Sequence, residues 1–456
     1  MQDDRPIEPE TDLTPAPEES IEEAPPPPPE PAAPVTGRER SLTLDLRRGV
    51  ALLGIRVINV WAYAMPFPAA MNPNLAAFDA PLDRVMYLVV FMTVYTKTMP
   101  IFSMLFGAGI LLLATRQEER GGKAGRFVLR RQWWLLVFGL VHSYLMWNGD
   151  ILVPYAFAGT LVFLFRRKRP RTLLILALLS FMVPKLLAQA GGWYMQKMEV
   201  VAVEAEAIRD ADGDLTAEQR RALEMTEENG PAWNPSPEKI EELTDVRRGP
   251  YAGMVAHNAG ETLLMHLFMY PVFIGWNLVG YMLLGMMLFK TGVLTGERSP
   301  GFFGRMAVIF YGLGIPLSIY NVWIYDRYPD SFATILRWGF PLTDIAGPLV
   351  ALGHIALLIL AFKSGWFPAL QDRLRAVGRM AFSNYIAHTV ICTTIFYGHG
   401  FAQWGGWSRL ELMGLVLVIW ALQLWWSPWW LARFRFGPLE WLWRSLTYGK
   451  RQAFRI

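Results

Sequence analysis

His142 is followed eight residues later by Asp150, across the tight sequence Asn148-Gly149. An imidazole titrates near neutral pH, which suits a general base, and a carboxylate on its other ring nitrogen fixes the tautomer. Two readings stand for each residue. His142 lies in an apolar stretch, so it is a base or a packed, hydrogen-bonded core histidine. Asp150 reaches back to it or caps the helix after its turn. Other charges sit where charge is expensive. Arg56 interrupts the apolar run from Val50 to Pro66, and Lys97 lies within another, just before Pro100. At bilayer depth such groups must be paired, wetted or snorkelled to the interface. Asp150 or Asp45 is the expected partner of Lys97. Asp45 and Arg48 share a helix face at the entrance of the first run, as do Arg56 and Asn59 deeper in. The first pair reads as a local ion pair or as a clamp for a phosphate or carboxylate. Arg56 lies about 12 Å beyond Arg48 along a helix. Together these residues trace a polar stripe inward, and Gly49 permits close helix approach.

The elements that must position these residues are membrane helices. The chain has 456 residues, 53% of them hydrophobic, with 19 tryptophans. It supplies about ten apolar runs near the 20-residue length that crosses a bilayer, and no alternating strands of a membrane barrel. The expected fold is all-α, a polytopic helical membrane protein. Its spans fall at about 50–66, 85–114, 131–147, 151–165, 171–190, 262–289, 303–325, 341–362, 377–397 and 410–432. Pro100 and Pro271 predict kinks or breaks in the two longest. Every second loop is basic, for example Arg166-Arg167-Lys168-Arg169 and the set Lys363, Arg373, Arg375 and Arg379. The positive-inside rule then places both termini in the cytoplasm. The net charge of +4 conceals this segregation.

Four regions follow. Residues 1–36 hold ten acidic residues and eleven prolines against one arginine, a composition that predicts disorder. Residues 37–190 form a first five-span half and 261–456 a second, with a basic cytoplasmic tail. Between them, 191–260 reads as an extracytoplasmic loop with fourteen acidic and seven basic residues. Thr216 starts a helix to about Asn229, a turn-rich linker follows, and a second helix runs from Pro237 to about Arg248. These helices lie on the bilayer surface or form a lid.

Several functions have no sequence support. The single cysteine, Cys392, reads as a packing residue. No spacing resembles a metal site, no phosphate-binding glycine loop occurs, and no bound cofactor is called for. The basic residues are explained by topology, so nucleic acid is not an expected partner, whereas the lipid bilayer is. Trp425-Trp426-Ser427-Pro428-Trp429-Trp430 reads as an interfacial belt.

An ordered series of motifs carries a family resemblance. Leu44-Asp45-x-x-Arg48-Gly49 leads to Asn59. Lys97 precedes Phe102-Ser103-Met104-Leu105-Phe106-Gly107-Ala108-Gly109. Gly139-Leu140-Val141-His142 precedes Trp147-Asn148-Gly149-Asp150. Gly378-Arg379-Met380-Ala381-Phe382-Ser383-Asn384-Tyr385 and Phe436-Gly437-Pro438-Leu439-Glu440 close the series. Over nearly all of residues 40–450 the chain resembles the YeiB-like family of bacterial inner-membrane proteins, domain of unknown function 418. That family is distantly similar to membrane acyltransferases. The resemblance implies acyl coenzyme A as a donor substrate, and an extracytoplasmic glycan or lipid hydroxyl as acceptor. His142 would be the base and Asp150 its orienter. Asp45, Arg48 and Asn59 would serve the donor, joined on the polar stripe by Arg56, which is not one of the family's motif positions, with Lys97, Asn384 and His388 lining the cavity. His388 shares a face with Asn384 but departs from the amide or other polar residue the family pattern suggests there. A transporter or flippase, and a non-catalytic membrane component, remain alternatives. Oligomeric state is not legible.

Overall fold

The computed structural model describes residues 42–71 and 81–456. The acidic, proline-rich segment 1–36 lies outside the described residues. Among the described residues the fold is all-α, without a sheet. The first half comprises α1 (Leu42–Ala64), α2 (Phe67–Met71), α3 (Pro81–Thr93), α4 (Thr98–Glu119), α5 (Ala124–Leu145), α6 (Leu152–Phe163) and α7 (Pro170–Asp210). Then come α8 (Ala217–Trp233), α9 (Pro237–Arg248), α10 (Tyr251–Leu264), a π-helical stretch Met265–Ile274 and α11 (Gly275–Lys290). The rest comprises α12 (Pro300–Arg327), α13 (Phe332–Thr334), a π-helical stretch Ile335–Gly339, α14 (Phe340–Lys363), α15 (Pro368–Arg379), α16 (Ala381–Phe396), α17 (Arg409–Leu431) and α18 (Pro438–Tyr448).

Six helical runs are long and apolar enough to cross a membrane: Pro81–Glu119, α7, Tyr251–Lys290, α12, Phe332–Lys363 and α17. The protein is a multi-pass membrane protein. The other four expected spans fall on α1, α5, α6 and α16. Two of these are short, at 12 residues for α6 and 16 for α16. Charges interrupt α1, and arginines open α5. Ranks of apolar side chains on α7 and α12, such as Leu178, Leu179, Val308 and Leu313, point outward as lipid-facing surfaces do. At the centre, every residue of α11 from Asn277 to Met286 is buried. A Cβ on Gly107 would collide with the Met282 backbone, and one on Gly285 with the Met104 backbone, so these glycines let α4 and α11 touch.

Both proline expectations are refined. The long second run bends at Val94–Lys97, where Thr96 has φ +57°, and Pro100 sits in the first turn of α4. A missing N–H costs nothing there, because first-turn donors have no intrahelical acceptor. Pro271 does not break its run; the chain winds around it as a π-helix. The boundary expected near 190 is absent too, since α7 continues for 41 residues to Asp210. The helix from Thr216 continues past Asn229 to Trp233, which shortens the expected linker to residues 234–236. Its last residue is anchored, with Trp233 Nε1 donating to the Pro329 carbonyl at 2.8 Å. The α9 helix spans the expected residues, N-capped by Ser236. Arg248 donates to the Trp404 carbonyl at 2.9 Å through Nε, and Gly398 N donates to the Arg247 carbonyl. The connecting helices therefore fold onto the bundle end.

Candidate functional site

His142 lies in the last turn of α5, where its carbonyl accepts from the amides of Met146 and Trp147. That tight exit turns the chain back, so Asp150 returns beneath the imidazole. Nδ1 of His142 and Oδ1 of Asp150 are 2.7 Å apart, and both side chains are buried. The second carboxylate oxygen accepts from Val153 N at 2.8 Å, which caps α6. Asp150 thus does both things the sequence left open. Its backbone carbonyl also accepts from Tyr270 Oη at 2.5 Å, tying in the π-helical stretch.

A carboxylate only accepts, so the imidazole donates from Nδ1 and presents a lone pair at Nε2. That nitrogen lies 2.9 Å from Thr389 Oγ1, which lies 2.6 Å from Tyr63 Oη. The chain Tyr63–Thr389–His142–Asp150 joins α1, α16, α5 and the α6 cap. Tyr63 stacks on Trp147 at 4.0 Å between ring centroids and meets the His388 ring edge-on at 5.4 Å. Tyr63 and Thr389 were not singled out from sequence. The available signals were that Tyr63 lies seven residues past Arg56, on one face of α1, and that Thr389 adjoins His388.

A cavity of about 210 Å³ opens at the basic end of the bundle. Arg48, Arg116, Arg131, Arg379 and Arg444 line it together with Asp45 and Glu440, and Phe102, Phe106, Phe382, Tyr155 and Tyr385 form its interior. Arg48 pairs with Asp45 at 3.1 Å and passes over Gly109, where a Cβ would crowd it. Gly49 does permit close approach, since a Cβ there would collide with the Leu374 carbonyl of α15. The Arg131 guanidinium lies 3.5 Å from the centre of the Trp443 ring. Glu440 accepts from the amides of Phe382 (2.7 Å) and Ser383 (3.1 Å), so a carboxylate from α18 caps α16. Burial pushes that carboxyl up, against the lowering effect of its donors. Arg48 apart, sequence had assigned these arginines to topology alone.

The cavity ends at Ile151, Leu152 and Tyr385, and the Tyr385 ring lies 5.2 Å from the His142 ring. His142 does not line the cavity; one aromatic side chain separates them. Asp45 and Arg48 are at its mouth. Arg56 and Asn59 are not among its lining residues, because that part of α1 is covered by α16.

Lys97, Asn384 and His388, expected to line a cavity, are not among the residues around this one. Lys97 pairs with neither Asp150 nor Asp45. The bend before α4 turns it back, so Nζ donates to the Phe91 carbonyl at 2.7 Å and lies over the Phe91 ring. Asn384 faces α17, donating to Ser427 Oγ at 3.0 Å and accepting from Trp426 Nε1 at 2.7 Å. His388 is buried, with Nε2 at 3.5 Å from Cys392 Sγ.

Residues 288–450 match the family model described as Protein of unknown function (DUF418). Similarity extends well beyond that segment. The uncharacterized protein YeiB of Escherichia coli (strain K12) is 29% identical over 420 residues, covering 90% of this chain and 96% of the relative. The uncharacterized protein YxaH of Bacillus subtilis (strain 168) is 28% identical, covering 91% and 96%. The chain is thus similar to these two relatives over about nine tenths of its length, and part of it matches the DUF418 model. The segment matched by the DUF418 model supplies Thr389, Tyr385, Arg379 and Arg444, whereas His142, Asp150, Asp45 and Arg48 precede it. The site therefore forms only where the two parts of the chain pack together. No solved structure matches the chain.

Proposed function

We propose that this protein is a membrane acyltransferase. It takes an acyl group from a cytoplasmic coenzyme A thioester and passes it to a hydroxyl of an extracytoplasmic glycan or lipid. The observation that carries this is the arginine-lined cavity, which ends one side chain short of the His142–Asp150 pair. Arginines at the mouth suit the phosphates of the donor, and the aromatic interior suits its thioester arm. In this reading α1, α5, α6 and α16 complete ten spans in the bacterial inner membrane. The basic end and both termini are then cytoplasmic. Arg48, oriented by Asp45, binds the donor head group. His142 takes the acceptor proton at Nε2, and Asp150 stabilises the imidazolium. Tyr385 must swing aside for donor and base to meet.

The test uses purified full-length protein in lipid nanodiscs with acetyl coenzyme A labelled in the acetyl group, and a lipid extract and glycan pool as acceptors. Label should move to an acceptor, and His142→Gln should stop it while leaving donor binding intact. Unchanged transfer in His142→Gln removes that residue from the mechanism. Absence of coenzyme A binding defeats the donor assignment and favours transport of another amphipathic anion through the same cavity.

A further inference from the structure

Arg56 is only 2% exposed. Its Nε donates to the Leu52 carbonyl at 3.3 Å, one turn back on α1. Among the described residues, its two terminal nitrogens have no hydrogen-bond partner. Its electrostatic neighbours are Tyr63, Tyr385, His388 and Cys392, none of them a carboxylate. A buried guanidinium without a counter-charge is strongly unfavourable in a low-dielectric interior. Packing alone would be served better by an apolar side chain of similar size.

Its position suggests what the charge is for. Leu52 and Ile55, on the same stretch of α1, line the cavity. Tyr63, two turns further on, belongs to the hydrogen-bonded chain that ends at His142. Tyr385 is both the cavity floor and a neighbour of the imidazole. Arg56 therefore lies at the partition between the donor cavity and the base.

We propose that Arg56 is an anion site inside the membrane, placed to hold the acyl carbonyl oxygen as negative charge develops on it during transfer. This rests on the acyl-transfer reading above. The acceptor oxygen bonds to the thioester carbonyl carbon while His142 Nε2 takes its proton, and the carbonyl π pair moves onto oxygen, where Arg56 donates to it. Collapse restores the C=O bond and breaks the C–S bond. The proton passes from His142 to the departing thiolate, leaving an ester and free coenzyme A thiol. Arg48 binds the donor in its ground state, whereas Arg56 acts on charge present only at the transition state.

The experiment compares full-length wild type, Arg56→Lys and Arg56→Met in nanodiscs. Loss of one such donor lowers kcat by about 100- to 1,000-fold. Arg56→Met should show that loss with KM for acetyl coenzyme A within about threefold, and should melt no lower than wild type, because an uncompensated charge is gone. Arg56→Lys should keep part of the rate. A raised KM with kcat retained, or a lowered melting temperature in both variants, overturns the proposal in favour of a donor-binding or structural role. A second arm needs no turnover. Sodium acetate, titrated at constant ionic strength, should raise the melting temperature of wild type but not of Arg56→Met, and equal responses overturn the anion site. If wild type transfers nothing while the acetate response still depends on Arg56, the acyl-transfer reading and the carbonyl role fail together, and the anion site stands.

Discussion

Asp150 has two separable duties, and separating them measures the central pair. One oxygen meets His142 Nδ1 at 2.7 Å in a fully buried contact. The other caps α6 through Val153 N at 2.8 Å. A hydrogen bond to a charged group contributes about 1.5–3 kcal/mol, and an N-terminal cap about 1 kcal/mol. Asp150→Ala loses both, so it should destabilise by about 2.5–4 kcal/mol. Asp150→Ser keeps an oxygen for Val153 and should lose only the imidazole contact, about 1.5–3 kcal/mol. The Asp150→Ser substitution is repeated in a His142→Phe background, with unfolding followed by tryptophan fluorescence in mixed micelles. If the contact is as drawn, the two substitutions couple by about 1.5–3 kcal/mol. Coupling below about 0.5 kcal/mol would refute the pairing. An equal loss in the Ser and Ala variants would refute the cap.

Thr389→Val keeps the side-chain shape but leaves Tyr63 Oη and His142 Nε2 without their shared partner; a loss of about 2 kcal/mol is expected, measured by the same unfolding assay. Gly378→Ala places a methyl group on the Asp45 carbonyl of α1, so it should destabilise by about 1–3 kcal/mol and weaken coenzyme A binding in a tritium binding assay, since Asp45 orients Arg48. Trp147→Ala removes the ring stacked on Tyr63. The sole cysteine, buried Cys392, should then react with a maleimide that leaves wild type unlabelled, as read by intact mass.

The elements were legible because membrane helices announce themselves by length and apolarity, and because the arginine-rich loops alternate. The His142–Asp150 contact was legible too, since Asn148-Gly149 allows the chain to double back within eight residues. Lys97 misled because a lysine in an apolar run was expected to seek a carboxylate. The local bend instead leaves backbone carbonyls open, and Phe91 supplies one six residues away. Asn384 misled for a related reason. Its position on α16 could be read from periodicity, but the neighbour on that face, α17, could not. Thr389 and Tyr63 stayed hidden because their partnership spans 326 residues of sequence. The cavity arginines other than Arg48 were visible only as topology signals, since a residue that obeys the positive-inside rule carries no mark of a second task.

On the acyl-transfer reading, these distances also indicate what would have to move. At the basic end five arginines line a cavity together with Asp45 and Glu440. Toward the opposite end, Tyr63, Thr389, His142 and Asp150 are buried and satisfy one another beneath Trp147, while Arg247 of α9 bonds Asn258 and Glu261 of α10. A polar network in a low-dielectric interior persists only when its members are paired, and here they are. Beside it, the guanidinium of Arg56 keeps two buried nitrogens without a hydrogen-bond partner among the described residues. An anionic group arriving from the basic end would therefore gain most by crossing the Tyr385 partition. Release toward the far side would require the Trp147 stack and the α9–α10 contacts to open. In the acyl-transfer reading proposed above, entry from one end and exit at the other would then use different barriers.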